Sequence, residues 1–334
     1  MAKEAGVEAA GLVKGVAWGD YDNDGRLDLY VSRMRQRNLL YHNQGPGENG
    51  PGENGRPTFV EVGEEAGIGM PVDSFPTWFF DYDNDGWLDI LAAGFATDFI
   101  DARANSVVED YLGYPVEDGL VHLFRNDHDG TFTDVSEAVG VDHPMLVMGA
   151  NYGDLDNDGW LDLYFGTGAP DYRALVPNRM FRNAGGEVTP EGGKRHVFQD
   201  VTTSGGFGHL QKGHGISFAD VDNDGDQDVF AVMGGAFSGD VFHNVLFANP
   251  GRGNSWVTLR LEGVKSNRAA IGGRIRVEAE TPEGRRDVHV LVSTGGSFGS
   301  SSLRQEIGLG NATAIRAVEV WWPGGDKQIF DNVP

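Results

Sequence analysis

Short apolar runs bounded by glycine and polar turns recur along most of the chain. GVAWG, PTWFF, MGANYG and GISFA each precede a nine-residue acidic segment, and LYVS, ILAAG, LYFGTG and VFAVMGG each follow one. An aromatic–Asn segment comes next in every unit: LLYHN, HLFRN, RMFRN and VLFAN. FVEVGEEAGI, FTDVSEAVGV and FQDVTTSGGF then close the first three units. The runs lack the 3.6-residue spacing of an amphipathic helix and are too short for one, so each unit predicts about four short strands joined by turns. That is the content of one propeller blade. From Gly251 the pattern changes to strict alternation in WVTLRL, GGRIRVEAE, RDVHVLVS and AVEVWW, which predicts a small antiparallel β-sandwich or barrel. The expected division is therefore 1–250 for the repeats and 251–334 for a second β domain, an all-β chain throughout.

The acidic segments align without gaps: DYDNDGRLD from Asp20, DYDNDGWLD from Asp81, DLDNDGWLD from Asp154 and DVDNDGDQD from Asp220. Recurrence at near-constant spacing marks an internal repeat. Carboxylates at positions 1, 3, 5 and 9 can converge once the chain turns at position 6, which is Gly25, Gly86, Gly159 and Gly225. The carboxylate ligands expected are Asp20, Asp22, Asp24 and Asp28; Asp81, Asp83, Asp85 and Asp89; Asp154, Asp156, Asp158 and Asp162; and Asp220, Asp222, Asp224 and Asp228. Position 7 offers its backbone carbonyl, so Arg26, Trp87, Trp160 and Asp226 join the ligand set whatever their side chains. An all-oxygen, irregular set of this kind suits Ca²⁺ better than Zn²⁺ or Mg²⁺. Four carboxylates this close would otherwise repel one another. An EF-hand loop opens in the same way but needs Glu at position 12, where this chain has Val31, Ala92, Phe165 and Ala231. A metal-free acidic turn is the plainer alternative. Four structural Ca²⁺ ions are expected, with the apolar position 8 (Leu27, Leu88 and Leu161, but Gln227) anchoring each loop on the core.

The formal charge of −24 disfavours nucleic acid and anionic lipid as partners. Four Asp in each of the first three loops and five in the fourth explain much of it, and four bound Ca²⁺ would reduce it to −16. Fifty glycines without a collagen period agree with many tight turns. The chain has no cysteine, which excludes disulfides, thiolate catalysis and Cys-ligated metal. No apolar run is long enough to span a bilayer, and MAKEAGVEAAGLVKG has no apolar core of signal-peptide length. Calcium modules of this sort commonly need extracellular calcium levels, so an extracytoplasmic location is expected, any export signal lying upstream.

These residues resemble the FG-GAP/VCBS repeats of α-integrin-like propellers. The tail resembles an ASPIC/UnbV domain, through NSWVTLRLEGVKSNRAAIGGRIRV, STGGSFGSSSLRQEIGLG and VEVWWPGG. The combination is that of cartilage-acidic-protein-like proteins. The resemblance implies calcium binding and an extracytoplasmic interaction role with a protein or glycan ligand. Integrin-like propellers have seven blades and four repeats are countable here, so part of a larger propeller is expected. The segment AKEAGV matches only the end of a repeat-closing segment, and IFDNVP stops where a strand should continue.

Three further features carry weaker signals. The duplicated PGENG of 46–55 reads as a surface loop, and the 95–119 insertion carries SVVEDYLG, a candidate short helix that could shape a binding rim. Arg252, Arg260, Lys265, Arg268, Arg274, Arg276, Arg285 and Arg286 gather basic charge in the tail. They read either as docking contacts to the acidic repeats and solvated strand faces or as an anion or glycan patch. Asn311-Ala312-Thr313 matches a glycosylation sequon and is taken as coincidence. The one constellation that could support catalysis is His209, Lys212, His214, Asp240 and His243 among glycines of the fourth repeat. It matches no nucleophile motif, and histidines bonding loop carbonyls explain it as well. An interaction protein is thus the leading expectation, with an enzyme or biosynthetic accessory protein using these histidines as the alternative.

Overall fold

A computed structural model describes residues 2–45, 57–95, 100–117, 119–168, 176–186, 197–235, 242–331 and 333, with backbone alone for 100–104. The PGENG duplication and Asp240 lie outside the described residues. The described chain is almost entirely antiparallel β.

The first sheet joins β1 (Leu12–Gly19), β2 (Asp28–Met34), β3 (Leu39–Asn43) and β4 (Phe59–Glu61) in sequence order. The second joins β5 (Ser74–Phe80), β6 (Asp89–Gly94), β7 (Val121–Asn126) and β8 (Phe132–Asp134). The third joins β9 (Val147–Gly153), β10 (Asp162–Thr167), β11 (Arg179–Asn183) and β12 (Phe198–Asp200). The fourth has three strands among the described residues: β13 (Gly213–Ala219), β14 (Asp228–Met233) and β15 (Val245–Phe247). In every sheet the acidic segment is the connection between the first two strands. Pairing ends at Gly19 opposite Asp28, Phe80 opposite Asp89, Gly153 opposite Asp162 and Ala219 opposite Asp228. Position 9 is therefore the first residue of a strand, held in register by its partner across the hairpin.

Successive sheets pack through their first two strands, β1 and β2 on β5, β5 on β9, and β9 and β10 on β13. The core lies in those seams. Between the first two sheets it holds Tyr30, Leu40, Phe79, Ile90 and Phe124. Between the second and third it holds Trp78, Phe80, Leu91, Leu163 and Phe165, and between the third and fourth Tyr164, Ile216, Phe218 and Val229. Burying a large apolar side chain stabilises by about 1.5–3 kcal/mol, so each seam outweighs the turns beside it. No described sheet closes on itself. Trp18 on β1 and Phe230 on β14 are 49% and 39% exposed, whereas Phe79 and Tyr164, at the equivalent repeat positions, are 2% and 0%.

The tail forms β16 (Ser255–Leu259), β17 (Arg274–Thr281), β18 (Gly284–Leu291), β19 (Gln305–Gly310), β20 (Ala314–Trp321) and β21 (Lys327–Asp331). β16 pairs with β19, and the other four make a sheet in the order β18-β17-β20-β21. Ile275, Val277, Val288, Val318 and Val320 from the larger sheet and Ile307 and Leu309 from the smaller enclose one core. Among the described residues there are three helices: α1 (Ala2–Ala5), α2 (Ile100–Tyr111) and α3 (Ser136–Val139). The helix expected around SVVEDYLG is real but starts six residues earlier, at Ile100.

Candidate metal centres

One bonding scheme shapes all four loops. The position 1 carboxylate accepts the N–H groups of positions 5 and 6, as Asp81 does from Asp85 (3.1 Å) and Gly86 (2.8 Å), and Asp154 from Asp158 (3.0 Å) and Gly159 (2.8 Å). Asp20 and Asp220 repeat the pattern. Position 5 accepts the N–H of position 7 in each loop. Gly at position 6 has φ between 84° and 97°, a conformation in which a side chain is strained.

Position 9 bonds outward. Asp162 accepts from Leu155 N and from Asn183 N, both at 2.8 Å, so it ties the start of its own loop to the third strand. Asp28, Asp89 and Asp228 do the same through Asn43, Asn126 and Asn249. A carboxylate offers about four acceptor positions, so two backbone bonds leave capacity for a cation.

The loops are also chained to one another. Asn at position 4 donates to the position 6 carbonyl of the next loop: Asn23 to Gly86 O (3.3 Å), Asn84 to Gly159 O (2.7 Å) and Asn157 to Gly225 O (2.9 Å). In the opposite direction Asn126 donates to Tyr21 O, Asn183 to Tyr82 O and Asn249 to Leu155 O. Asn43, Asn126, Asn183 and Asn249 recur in the aromatic–Asn segments of the sequence, but only the fold gives them partners. Gln227, the exception at position 8, accepts the Asp154 N–H at 3.0 Å and so belongs to this inter-loop set. Leu88 is buried and Leu161 packs on the core as expected, while Leu27 is half-buried against Gly272 of the tail.

Three carboxylates in each loop bring an oxygen within 4.8 Å of the others: Asp20, Asp22 and Asp28; Asp81, Asp83 and Asp85; Asp154, Asp156 and Asp162; and Asp220, Asp222 and Asp224. The remaining loop carboxylates join none of these sets of three, although Asp89 and Asp158 still feel the charge of their loop neighbours. Asp24 groups instead with Asp22 and His42, Asp158 binds Arg182 Nη2 at 3.0 Å, and Asp226 accepts from Asn157. Asp89 and Asp228 make their backbone bonds only. At position 7 Arg26 bonds Asn43 O and pairs with Asp24 of its own loop, Trp87 stacks on His128, and Trp160 lies beneath Arg286.

Burial gives these carboxyls little tolerance for charge. It pushes Asp28 up to about 8, with Asp22 and Asp20 adding repulsion. Burial, then Asp85, raises Asp83 to about 6, and burial, then Asp156, raises Asp158 to about 6. Burial first and neighbouring carboxylates second raise Asp81, Asp89, Asp154 and Asp162 well above the ordinary carboxylate range. Asp83 Oδ1 and Asp156 Oδ1 are buried without a hydrogen-bond partner. Buried acceptors that lack a donor, grouped with other carboxylate oxygens, fit a hard divalent cation.

The histidine constellation is not brought to one place. His209 lies edge-on to Phe247 and bonds Gln211 Oε1, whereas His214 lies against Phe298 of the tail. His243 is exposed. Among the described residues, none of the three joins a group of potential metal ligands.

Residues 20–92 and 108–165 match the FG-GAP-like repeat family, and 263–334 match the ASPIC and UnbV family. The fourth loop lies outside those matches although its bonding repeats that of the other three. Cartilage acidic protein 1 of Mus musculus is 25% identical over 328 residues, 97% of this chain, and that of Homo sapiens is 25% identical over 336 residues. The chain spans 44% of the length of these relatives. Among solved structures, the V. cholerae biofilm matrix protein Bap1 aligns over 98% of this chain and 60% of its own at 10% identity, with a TM-score of 0.28 that carries no inference about fold. No described helix is long and apolar enough to cross a membrane.

Proposed function

Because this chain belongs with the proteins that join FG-GAP-like repeats to an ASPIC/UnbV domain, and is homologous to cartilage acidic protein 1, we propose that it is a calcium-stabilised interaction protein whose metal is structural. Each acidic loop holds one Ca²⁺ through its Asp side chains and the position 7 carbonyl of Arg26, Trp87, Trp160 or Asp226. The four repeat sheets are blades of a propeller, with the second domain beginning near residue 251. The ion neutralises carboxyls that burial makes costly to ionise, and fixes the hairpin between the first two strands of each blade. The working environment is extracytoplasmic, where calcium is plentiful, and the ligand is a protein or glycan.

The observation that carries this reading is the pair of buried, partnerless oxygens on Asp83 and Asp156, each grouped with two further carboxylates of its loop. Metal analysis of the calcium-equilibrated chain should find about four ions, one for each loop. Metal bound only by the native state stabilises by roughly 2.7 kcal/mol per site at 100 times Kd. Excess EGTA should accordingly lower Tm by about 10 °C or more. An unchanged melting curve would overturn the proposal.

A further inference from the structure

The tail reaches all four acidic loops, and each time it bonds the position 4 Asn. Arg274 on β17 donates to Asn23 Oδ1, and His289 N on β18 donates to Asn84 Oδ1 at 2.9 Å. Gly310 N at the end of β19 donates to Asn157 O at 2.8 Å, and Arg304 Nη1 to Asn223 Oδ1 at 2.8 Å. Arg286 adds a bond from Nη1 to Asp158 O at 2.5 Å and lies over the Trp160 ring. Gly308 sits so close to loop three that a Cβ there would overlap Asp154 Oδ2 and the Asn157 backbone.

The four Asn residues share φ values of 54° to 62°, the left-handed conformation that Asn adopts more readily than other non-glycine residues and that the loop's own hydrogen bonds hold in place. The docking bonds thus depend on the shape of the acidic loop more than on its charge. Charge enters directly where Arg304 Nη2 meets Asp220 Oδ2 at 2.9 Å, and Arg274 lies 3.8 Å from Asp20 Oδ2. A second set of contacts ties the tail to the first strands of the sheets. Ser297 exchanges backbone bonds with Ala150 on β9, and its hydroxyl donates to Thr77 O on β5.

We propose that the tail is a clamp whose docking is coupled to calcium loading of the loops. The inference rests on the calcium reading above. An ion holds each loop closed against carboxylate repulsion, which keeps the position 4 Asn where the clamp binds it. Loss of the ion lets the turn open and removes the clamp's acceptors. Coupling between two binding events is reciprocal, so the docked clamp in turn raises calcium affinity.

The test uses the full chain. Amide hydrogen exchange is followed at His289 and Gly310, whose N–H groups point at the loops, and at Val277 and Val318 in the tail's own core. Moving from calcium to EGTA should speed exchange at His289 and Gly310 at least about ten-fold while Val277 and Val318 stay protected. Calorimetric calcium titration of Ser297→Ala and of Gly308→Val should show affinity weakened about five-fold or more, within the usual span of coupling factors. Ser297→Ala loosens the clamp where it meets Thr77 and touches no acidic loop, so it decides the matter even if Gly308→Val disturbs β19. If the wild-type chain binds calcium but His289 and Gly310 exchange equally in both states, or both variants bind calcium as tightly as wild type, the coupling is wrong and the calcium reading survives. If the wild-type chain binds no calcium, the calcium reading fails and the coupling fails with it.

Discussion

Loops three and four have the same nine-residue plan and the same internal hydrogen bonds, yet they occupy different environments. In loop three Asp154, Asp156 and Asp162 are all buried, Arg182 closes over Asp156 and Asp158, and β19 lies across the turn. In loop four Asp222 and Asp224 are exposed, although Arg304 bonds Asp220 and Asn223, Glu306 accepts the Asp220 N–H and Trp256 lies against Gly225. Loop three sits between two sheets, whereas loop four belongs to the last described sheet, whose Phe230 and Val232 are also exposed. The comparison teaches that the sequence pattern sets the loop's shape while its neighbours set how strongly it needs a cation. Exposed carboxylates are screened by water before any ion arrives; buried ones are not.

Substituting the same position in both loops should separate the two environments most sharply. Asp156→Asn removes a buried ligand and the ionic partner of Arg182 Nε, at 2.5 Å. It should cost about 3 kcal/mol in calcium, combining loss of one bound ion with loss of one of the two carboxylates that pair with the half-buried Arg182. Asp222→Asn removes an exposed ligand and should cost about 1 kcal/mol or less. Both variants should lose one ion per chain by metal analysis. Equal losses in denaturant melts would show that burial does not rank the loops, and the comparison would have no energetic content.

Acid provides a second, smaller probe. In chelator, Asp28 titrates near 8, and Asp83 and Asp158 near 6, against an ordinary 3.8. A carboxyl raised in the folded state holds its proton longer there than in the unfolded chain. Its stabilising contribution is whole below about pH 4 and is lost as pH climbs through the folded values. Metal-free stability should therefore fall between pH 4 and pH 8, and Asp28→Asn should flatten that slope. With calcium saturating, the sign should reverse, because protons compete with the ion for the same oxygens. Urea melts at several pH values, with calcium and with EGTA, would read both slopes. Parallel slopes in the two conditions would contradict the ligand assignment.

Much of this architecture was legible in the chain because it is written four times. The acidic segments, the flanking apolar runs and the aromatic–Asn segment each recur in register, and every one became a hairpin loop or a strand. The change to alternating residues after Gly251 likewise foretold two facing sheets in the tail. What was not legible depends on residues distant in sequence. Asn23, Asn84, Asn157 and Asn223 are as regular as the aspartates, but nothing local says that the first three bond the next loop or that all four bond the tail. Arg274 and Arg286 stand in the basic run of the tail and do dock; Arg304, a single Arg after a serine run, carries no such pattern. The contrast between loops three and four was invisible for the same reason, because identical letters cannot report which neighbours cover them. His209 and His214 lie five residues apart, and only the folded chain shows one ring on Phe247 and the other on Phe298.

The smallest expected effect concerns position 7, where backbone and side chain should separate cleanly. Trp87 stacks on His128 with ring centroids 4.6 Å apart, and His128 Nε2 lies 2.6 Å from Asp85 Oδ2. If position 7 serves calcium through its carbonyl alone, Trp87→Ala keeps the ligand and loses only the stacked ring. Calcium stoichiometry should stay at about four, and stability should fall by about 0.5–1.5 kcal/mol, the worth of an aromatic pair. Trp160→Ala in loop three should cost more, because the Trp160 ring also carries the Arg286 guanidinium at 4.9 Å. Loss of an ion from either variant would mean that the side chain, through the residues it positions, helps to build the metal site, and the shared plan of the loops would then extend to the one position where their letters differ most.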